Sequence, residues 1–68
     1  MKYKILKQWQ VEHEETQRAI VSFNFGKKDE EGNDINYEQE LCNLPLDENR
    51  LQEKLTEYGN DYEKALSV

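Results

Sequence analysis

From Arg18 to Leu44 the chain alternates, turns, and alternates again. Ala19, Val21, Phe23 and Phe25 take every second position of the first arm, and Ile35, Tyr37 and Leu41 keep the same period in the second. The segment between them, Gly26 to Asp34, is polar and charged and holds two glycines. Period-two alternation on both sides of a Gly-Asn-Asp turn predicts a β-hairpin with one apolar face. An isolated hairpin is marginal in water, so the rest of the chain must cover that face.

Upstream, residues 2–12 read as a further strand. Tyr3, Ile5, Trp9 and Val11 share one face, interrupted by Lys7; Lys2, Lys4, Gln8, Gln10 and Glu12 share the other, interrupted by Leu6. The stretch around His13, Glu14 and Glu15 turns the chain back. Setting Trp9 opposite Val21 also sets Glu12 opposite Arg18, a favourable cross-strand pair, although a slip of two residues preserves the faces equally well. The second strand spans about residues 16–25 and the third about 34–43, with Phe25 opposite Ile35, Phe23 opposite Tyr37 and Ala19 opposite Leu41. Short antiparallel connections favour the order 1-2-3. Tyr37, Leu41 and Leu44 also fit a helical spacing, but a glycine turn needs a return strand, which favours strand.

Pro45 ends the sheet region. Asp47 is a suitable helix N-cap with Glu48 in the first turn, and Leu46 and Leu51 stand at hydrophobic-staple spacing. Leu51, Leu55, Tyr58, Tyr62 and Ala65/Leu66 continue one apolar stripe, which predicts a helix over about 47–66. The run Gly59-Asn60-Asp61 is poor helix material and is the place where that helix can break. The expected fold is α+β: a three-stranded antiparallel meander followed by a C-terminal helix packed on its aromatic face, with Trp9 and Phe23 in the core, in one small domain of 68 residues.

Only 35% of the residues are hydrophobic and the mean hydropathy is -1.12, a composition that leans towards disorder. Seven aromatics placed periodically lean the other way, because each can bury roughly 150–250 Å². The net charge of -6 is divided unevenly: residues 1–28 carry six basic and three acidic side chains, and residues 29–68 carry three basic and twelve acidic ones. Such polarity orients a protein on a partner, and it also serves plain solubility. The first residues lack the apolar run and small-residue cleavage site of a signal peptide, and no segment approaches membrane-spanning length. With a single cysteine, Cys42, a cytoplasmic setting is expected.

The sequence carries little site chemistry. His13 and Cys42 occur once each, without metal-site spacing. The acidic loop Asp29, Glu30, Glu31 and Asp34 lacks the glycine-centred pattern of a Ca²⁺ loop. No phosphate loop or nucleophile-base set is present, so no enzyme activity, cofactor or metal is expected. Two surface features are more informative. Glu53, Glu57 and Asp61 form an acidic helix edge at spacing i, i+4, i+8, unfavourable for the helix and suited to a basic partner. The uncovered sheet face should present Leu6, Ile20 and Cys42 within a rim that includes Glu38 and Glu40. Edge strands 1 and 3 can accept a partner's strand, with Lys2, Lys4 and Lys7 guarding the first.

In general look, the acidic hairpin Asp29-Glu30-Glu31-Gly32-Asn33-Asp34-Ile35 followed by Leu44-Pro45-Leu46-Asp47-Glu48-Asn49-Arg50-Leu51 is similar to short phage or prophage proteins that pair a Gly-Asn hairpin with a leucine-bearing C-terminal helix. That resemblance implies a non-enzymatic accessory protein, either a virion part or an inhibitor of a host protein. A sheet backed by one helix also resembles domains that lay the sheet in the DNA major groove, but Glu12, Glu38 and Glu40 oppose phosphate binding there. The expected function is a small acidic protein-binding module. A self-associating structural subunit, joined through strand 1 or the Leu6/Ile20 patch, is the alternative, and nucleic-acid binding a weaker one.

Overall fold

A computed structural model describes residues 1–67. Three antiparallel strands, β1 (Lys2–Gln10), β2 (Thr16–Lys28) and β3 (Asp34–Pro45), form one open sheet in the order β1-β2-β3, and a single helix, α1 (Glu48–Leu66), follows. The expected α+β meander with its C-terminal helix is the fold observed. Residues 36–44 are strand, not helix.

Three irregularities in the strand ladders decide which side chains face the helix. Between β1 and β2, Ile5 pairs with Val21 but Lys7 with Ile20, so Leu6 is an extra residue on β1. A one-residue bulge exchanges the faces of everything beyond it. Trp9 therefore pairs with Arg18, not Val21, and stands with Lys7 on the face away from α1, while Gln8 takes the helix-side place opposite Ala19. This corrects the expected register and removes Trp9 from the core. It also places Gln8 and Gln10 on the side that was expected to hold Trp9 and Val11. Strand β1 ends at Gln10, two residues early, because His13 adopts a left-handed φ of 67° in a turn closed by the Val11 amide donating to the Thr16 carbonyl at 3.2 Å.

Between β2 and β3, the predicted pairs Phe23–Tyr37 and Ala19–Leu41 are present. Beyond them Gln17 pairs with Leu44, so Cys42 and Asn43 together oppose one residue of β2, with Asn43 at φ 57°. The bulge turns both Leu41 and Leu44 inward, and both are buried. At the other end β2 continues through Gly26, at φ 77°, to Lys28, which pairs with Asp34. That irregular stretch replaces the expected Phe25–Ile35 pair. The turn is consequently shorter than the sequence suggested, and the Asp29 carboxylate accepts from the Glu31 and Asn33 amides at 2.9 Å each.

The helix begins where expected: the Asp47 carboxylate accepts from the Arg50 amide at 2.9 Å, satisfying one of the amides a helix start leaves free. It does not break at 59–61. Gly59 is buried at the centre of the packed face, and a Cβ there would stand 3.1 Å from Phe23 Cε1 and 2.7 Å from Met1 Cε. The glycine thus serves close approach of helix to sheet. Leu51 and Leu55 are buried on the same face, Tyr62 and Leu66 are half-buried, and Tyr58 is 40% exposed.

The core consists of Ala19, Val21, Phe23, Leu41, Leu44, Leu51 and Leu55, flanked by Tyr3, Ile5 and Phe25. Phe23 is fully buried, with ring centroids 5.9 Å from Tyr58, 6.1 Å from Phe25 and 6.3 Å from Tyr62. The one buried polar side chain described, Gln17, spans the sheet: its amide donates to the Pro45 carbonyl at 2.8 Å and accepts from Gln8 at 3.2 Å. A 19-residue helix is about 28 Å long, whereas the molecule extends 45 Å, so the hairpin end of β2 and β3 runs on past the helix.

Three measurements check this arrangement. Phe23→Ala should cost about 3–5 kcal/mol, enough to unfold so small a domain, whereas Trp9→Ala should leave a cooperative urea transition. Equal losses would return Trp9 to the core. Gly59→Ala gains about 0.8–1.0 kcal/mol of helix propensity but crowds Phe23, and overpacking costs typically about 1–3 kcal/mol; a lowered urea midpoint is expected, and a raised one would show that the helix is not held at this distance. Lys28 bonds to Asp34 at the hairpin base and holds its carboxyl below the usual value. A folded-state pKa below the unfolded one adds stability that is present above the unfolded value and lost as pH falls through the folded one. Carboxyl NMR titration should show Asp34 protonating late, and Lys28→Met should abolish the difference.

Candidate functional site

The second bulge and the helix between them make a groove. At Cys42–Asn43 the outer edge of β3 bends, and α1 crosses beside it after the short Leu46–Asp47 connection. The resulting cleft, about 430 Å³, is lined by Glu40, Leu41, Cys42, Asn43 and Leu44 of β3 and by Lys54, Glu57, Tyr58 and Asp61 of α1. Leu41 and Leu44 are buried parts of the core that form its floor, and the polar members are exposed. Next to it a second hollow of about 460 Å³ holds Thr16, Asn43, Pro45, Arg50, Glu53, Lys54 and Glu57. Asn43, Lys54 and Glu57 belong to both.

The local sequence explains the placement. Spacing i, i+4, i+8 sets Glu53, Glu57 and Asp61 on one edge of the helix, and burial of Leu51, Leu55 and Gly59 turns that edge towards β3. Glu40 borders the hollow from the strand edge, but its place opposite Ile20 sets its side chain on the open face of the sheet. Lys54 lies among the carboxylates and offsets part of their charge, yet among the described residues none of these groups forms an ion pair: the two pairs present are His13–Glu12 and Lys28–Asp34. Carboxylates in excess of the cations beside them attract cationic groups.

Of the residues singled out from sequence, Glu57 and Asp61 line the first hollow from the helix and Glu53 lines the second, while Glu40 borders the first from the edge strand with its side chain on the open face. Glu38 stands one row away on β3, opposite Ser22. Leu6 and Ile20 belong elsewhere: Leu6 is the bulge residue of β1, 45% exposed, and Ile20 lies on the open face between Lys7 and Glu40. Sequence reasoning missed Tyr58 and Lys54 as groove residues. Tyr58 was assigned to the core stripe, but the burial of Gly59 shifts the packed face by one position and leaves the phenol at the rim.

The groove offers carboxylates, an amide, a phenol, an ammonium group and the exposed thiol of Cys42. Among the described residues no side chain in it is hydrogen-bonded to another as nucleophile to base, and no three His, Cys, Asp or Glu residues stand close enough to hold a metal ion. No helix described is long and apolar enough to cross a membrane. What the arrangement can do is accept an extended chain: β3 is an edge strand whose outward amides and carbonyls are unpaired, and its rim is acidic. No family model matches the chain, and no curated protein or solved structure matches it significantly.

Proposed function

We propose that this chain is a small acidic, non-catalytic protein-binding module that takes an extended basic segment of a protein partner between β3 and α1. One observation carries the reading: the acidic edge of the helix, with Glu57 and Asp61, flanks a groove that lies beside an open strand edge. Strand addition supplies main-chain hydrogen bonds, and flanking hollows select side chains. The exposed ring of Tyr58 suits the apolar stem and charged head of a lysine or arginine. Charge of this kind governs orientation and association rate more than bulk affinity. The exposed, unpaired thiol of Cys42 fits a reducing, cytoplasmic compartment. An accessory role of the phage type, as an inhibitor of a host protein, is the setting in which we place it.

The test is an amide NMR titration of the protein with a lysine- and arginine-rich peptide of high β propensity. Shifts should concentrate at 40–44 and 54–61 and weaken with added salt. Glu57→Gln and Asp61→Asn should each weaken binding by about 0.2–1 kcal/mol, the range of exposed ion pairs. Absence of shifts at low salt, or shifts that ignore both substitutions, would reject the groove as the docking site.

A further inference from the structure

The sheet face opposite the helix is sorted by charge, strand by strand. Lys4, Ser22 and Glu38 lie across one row of the sheet, and Lys7, Ile20 and Glu40 across the next. The lysines stand on β1 and the glutamates on β3, so two strand spacings, about 9.6 Å, separate the ends of each row. All four charged side chains are exposed, and among the described residues none has an ionic partner. Between them Ile20 is half-buried, and Trp9, also half-buried, lies on this face with Lys7 Nζ 5.4 Å from its ring centre. Among the described residues no element covers this face.

We propose that a second copy of this chain covers the face, in an isologous dimer whose two-fold axis runs parallel to β2. The charges select the axis. Rotation about a line parallel to the strands exchanges the two edges of the sheet without moving any residue along its strand. It lays β1 of each copy over β3 of the other and each row onto itself. Lys4 then meets Glu38 of the second copy, Lys7 meets its Glu40, and both contacts occur twice around a centre where Ile20 meets Ile20. The other in-plane axis, perpendicular to the strands, would set lysine on lysine and glutamate on glutamate. Packed sheets stand about 10 Å apart and lie within about 30° of parallel, a gap that a lysine and a glutamate side chain span together. The ion pairs lie at the rim and stay wet, so they specify orientation. Apolar contact comes from Ile20 and Trp9. Arg18 is the one charge that the axis sets against its own copy, at the end of the face beside Trp9. The β3–α1 groove opens on the helix side and stays free in the dimer, so this inference and the groove reading stand or fall separately.

Charge reversal decides the matter. In sedimentation equilibrium over a rising concentration series, the wild-type chain should pass reversibly from monomer to dimer. Lys4→Glu with Lys7→Glu makes both edges acidic, and Glu38→Lys with Glu40→Lys makes both basic. Each doubly substituted protein, folded by circular dichroism, should lose at least about tenfold in dimer affinity. Mixed in equal amounts the two should recover a dimer, since each then offers the edge that the other lacks, and Arg18→Gln should tighten the wild-type dimer. A wild-type chain monomeric throughout, a reversal variant that dimerises like wild type, or a mixture that stays monomeric would overturn the proposal. So would growth beyond the dimer, the signature of open edge-to-edge pairing.

Discussion

The Phe23 ring meets the helix backbone at Gly59, and the rest of the molecule is arranged around that contact. Phe23 is fully enclosed, with Tyr3 and Phe25 beside it on the sheet and Tyr58 and Tyr62 above it on the helix. A chain this polar owns few groups to bury, so its hydrophobic stabilisation must be concentrated. Six of the seven aromatics gather at this place, linked onward through Phe25–Tyr37 and Tyr37–Tyr62. Rings deliver a large buried area for little side-chain entropy, but only if the helix comes close. A methyl group at position 59 would hold it off. The residue with the poorest helix propensity in α1 therefore stands where the helix is most tightly packed, and packing of the amphipathic face outweighs a local preference of about 1 kcal/mol.

The element order was legible because alternation and heptad-like spacing are long-range signals: thirteen residues of β2 and nineteen of α1 repeat their pattern often enough to be unambiguous. Bulges are single-residue events and escape a periodic reading. Their traces were nonetheless in the sequence. Lys7 on the apolar face of the first strand and Leu6 on its polar face are two adjacent breaches, and one inserted residue accounts for both. The three-residue step from Leu41 to Leu44 looked helical for the same reason: a strand with one extra residue also brings positions i and i+3 to one side. Adjacent breaches of opposite sign are thus a mark of a bulge, and treating them as noise placed Trp9 in the core.

These slips also decide the surface. In strict alternation β1 would have shown the open face Leu6, Gln8 and Gln10 beyond Lys4. With the bulge it shows Lys7 and Trp9, and the row partner of Lys7 across β2 is Glu40. Segregation of lysine to one edge and glutamate to the other therefore follows from the ladder and not from composition alone. The acidic residues of the groove were legible as a stripe on a helix, but their meeting with the edge of β3 depends on the chain path after Asn43, which no spacing rule supplies.

Open sheets carry an aggregation hazard at both edges, and bulges and lysines are recognised ways of blunting it. Both edge strands here are interrupted, β1 at Leu6 and β3 at Cys42–Asn43, and β1 adds three lysines. The uninterrupted part of the β3 edge runs from Asn36 to Leu41 and carries Glu38 and Glu40. A strand added there can pair regularly over only that short stretch before it meets the bend at Asn43. Main-chain pairing alone would then be weak, and selectivity would rest on side chains reaching the hollow beside α1. A long, flat, indiscriminate edge is thereby reduced to a short one with an acidic rim, which admits a cationic segment more readily than another copy's acidic β3.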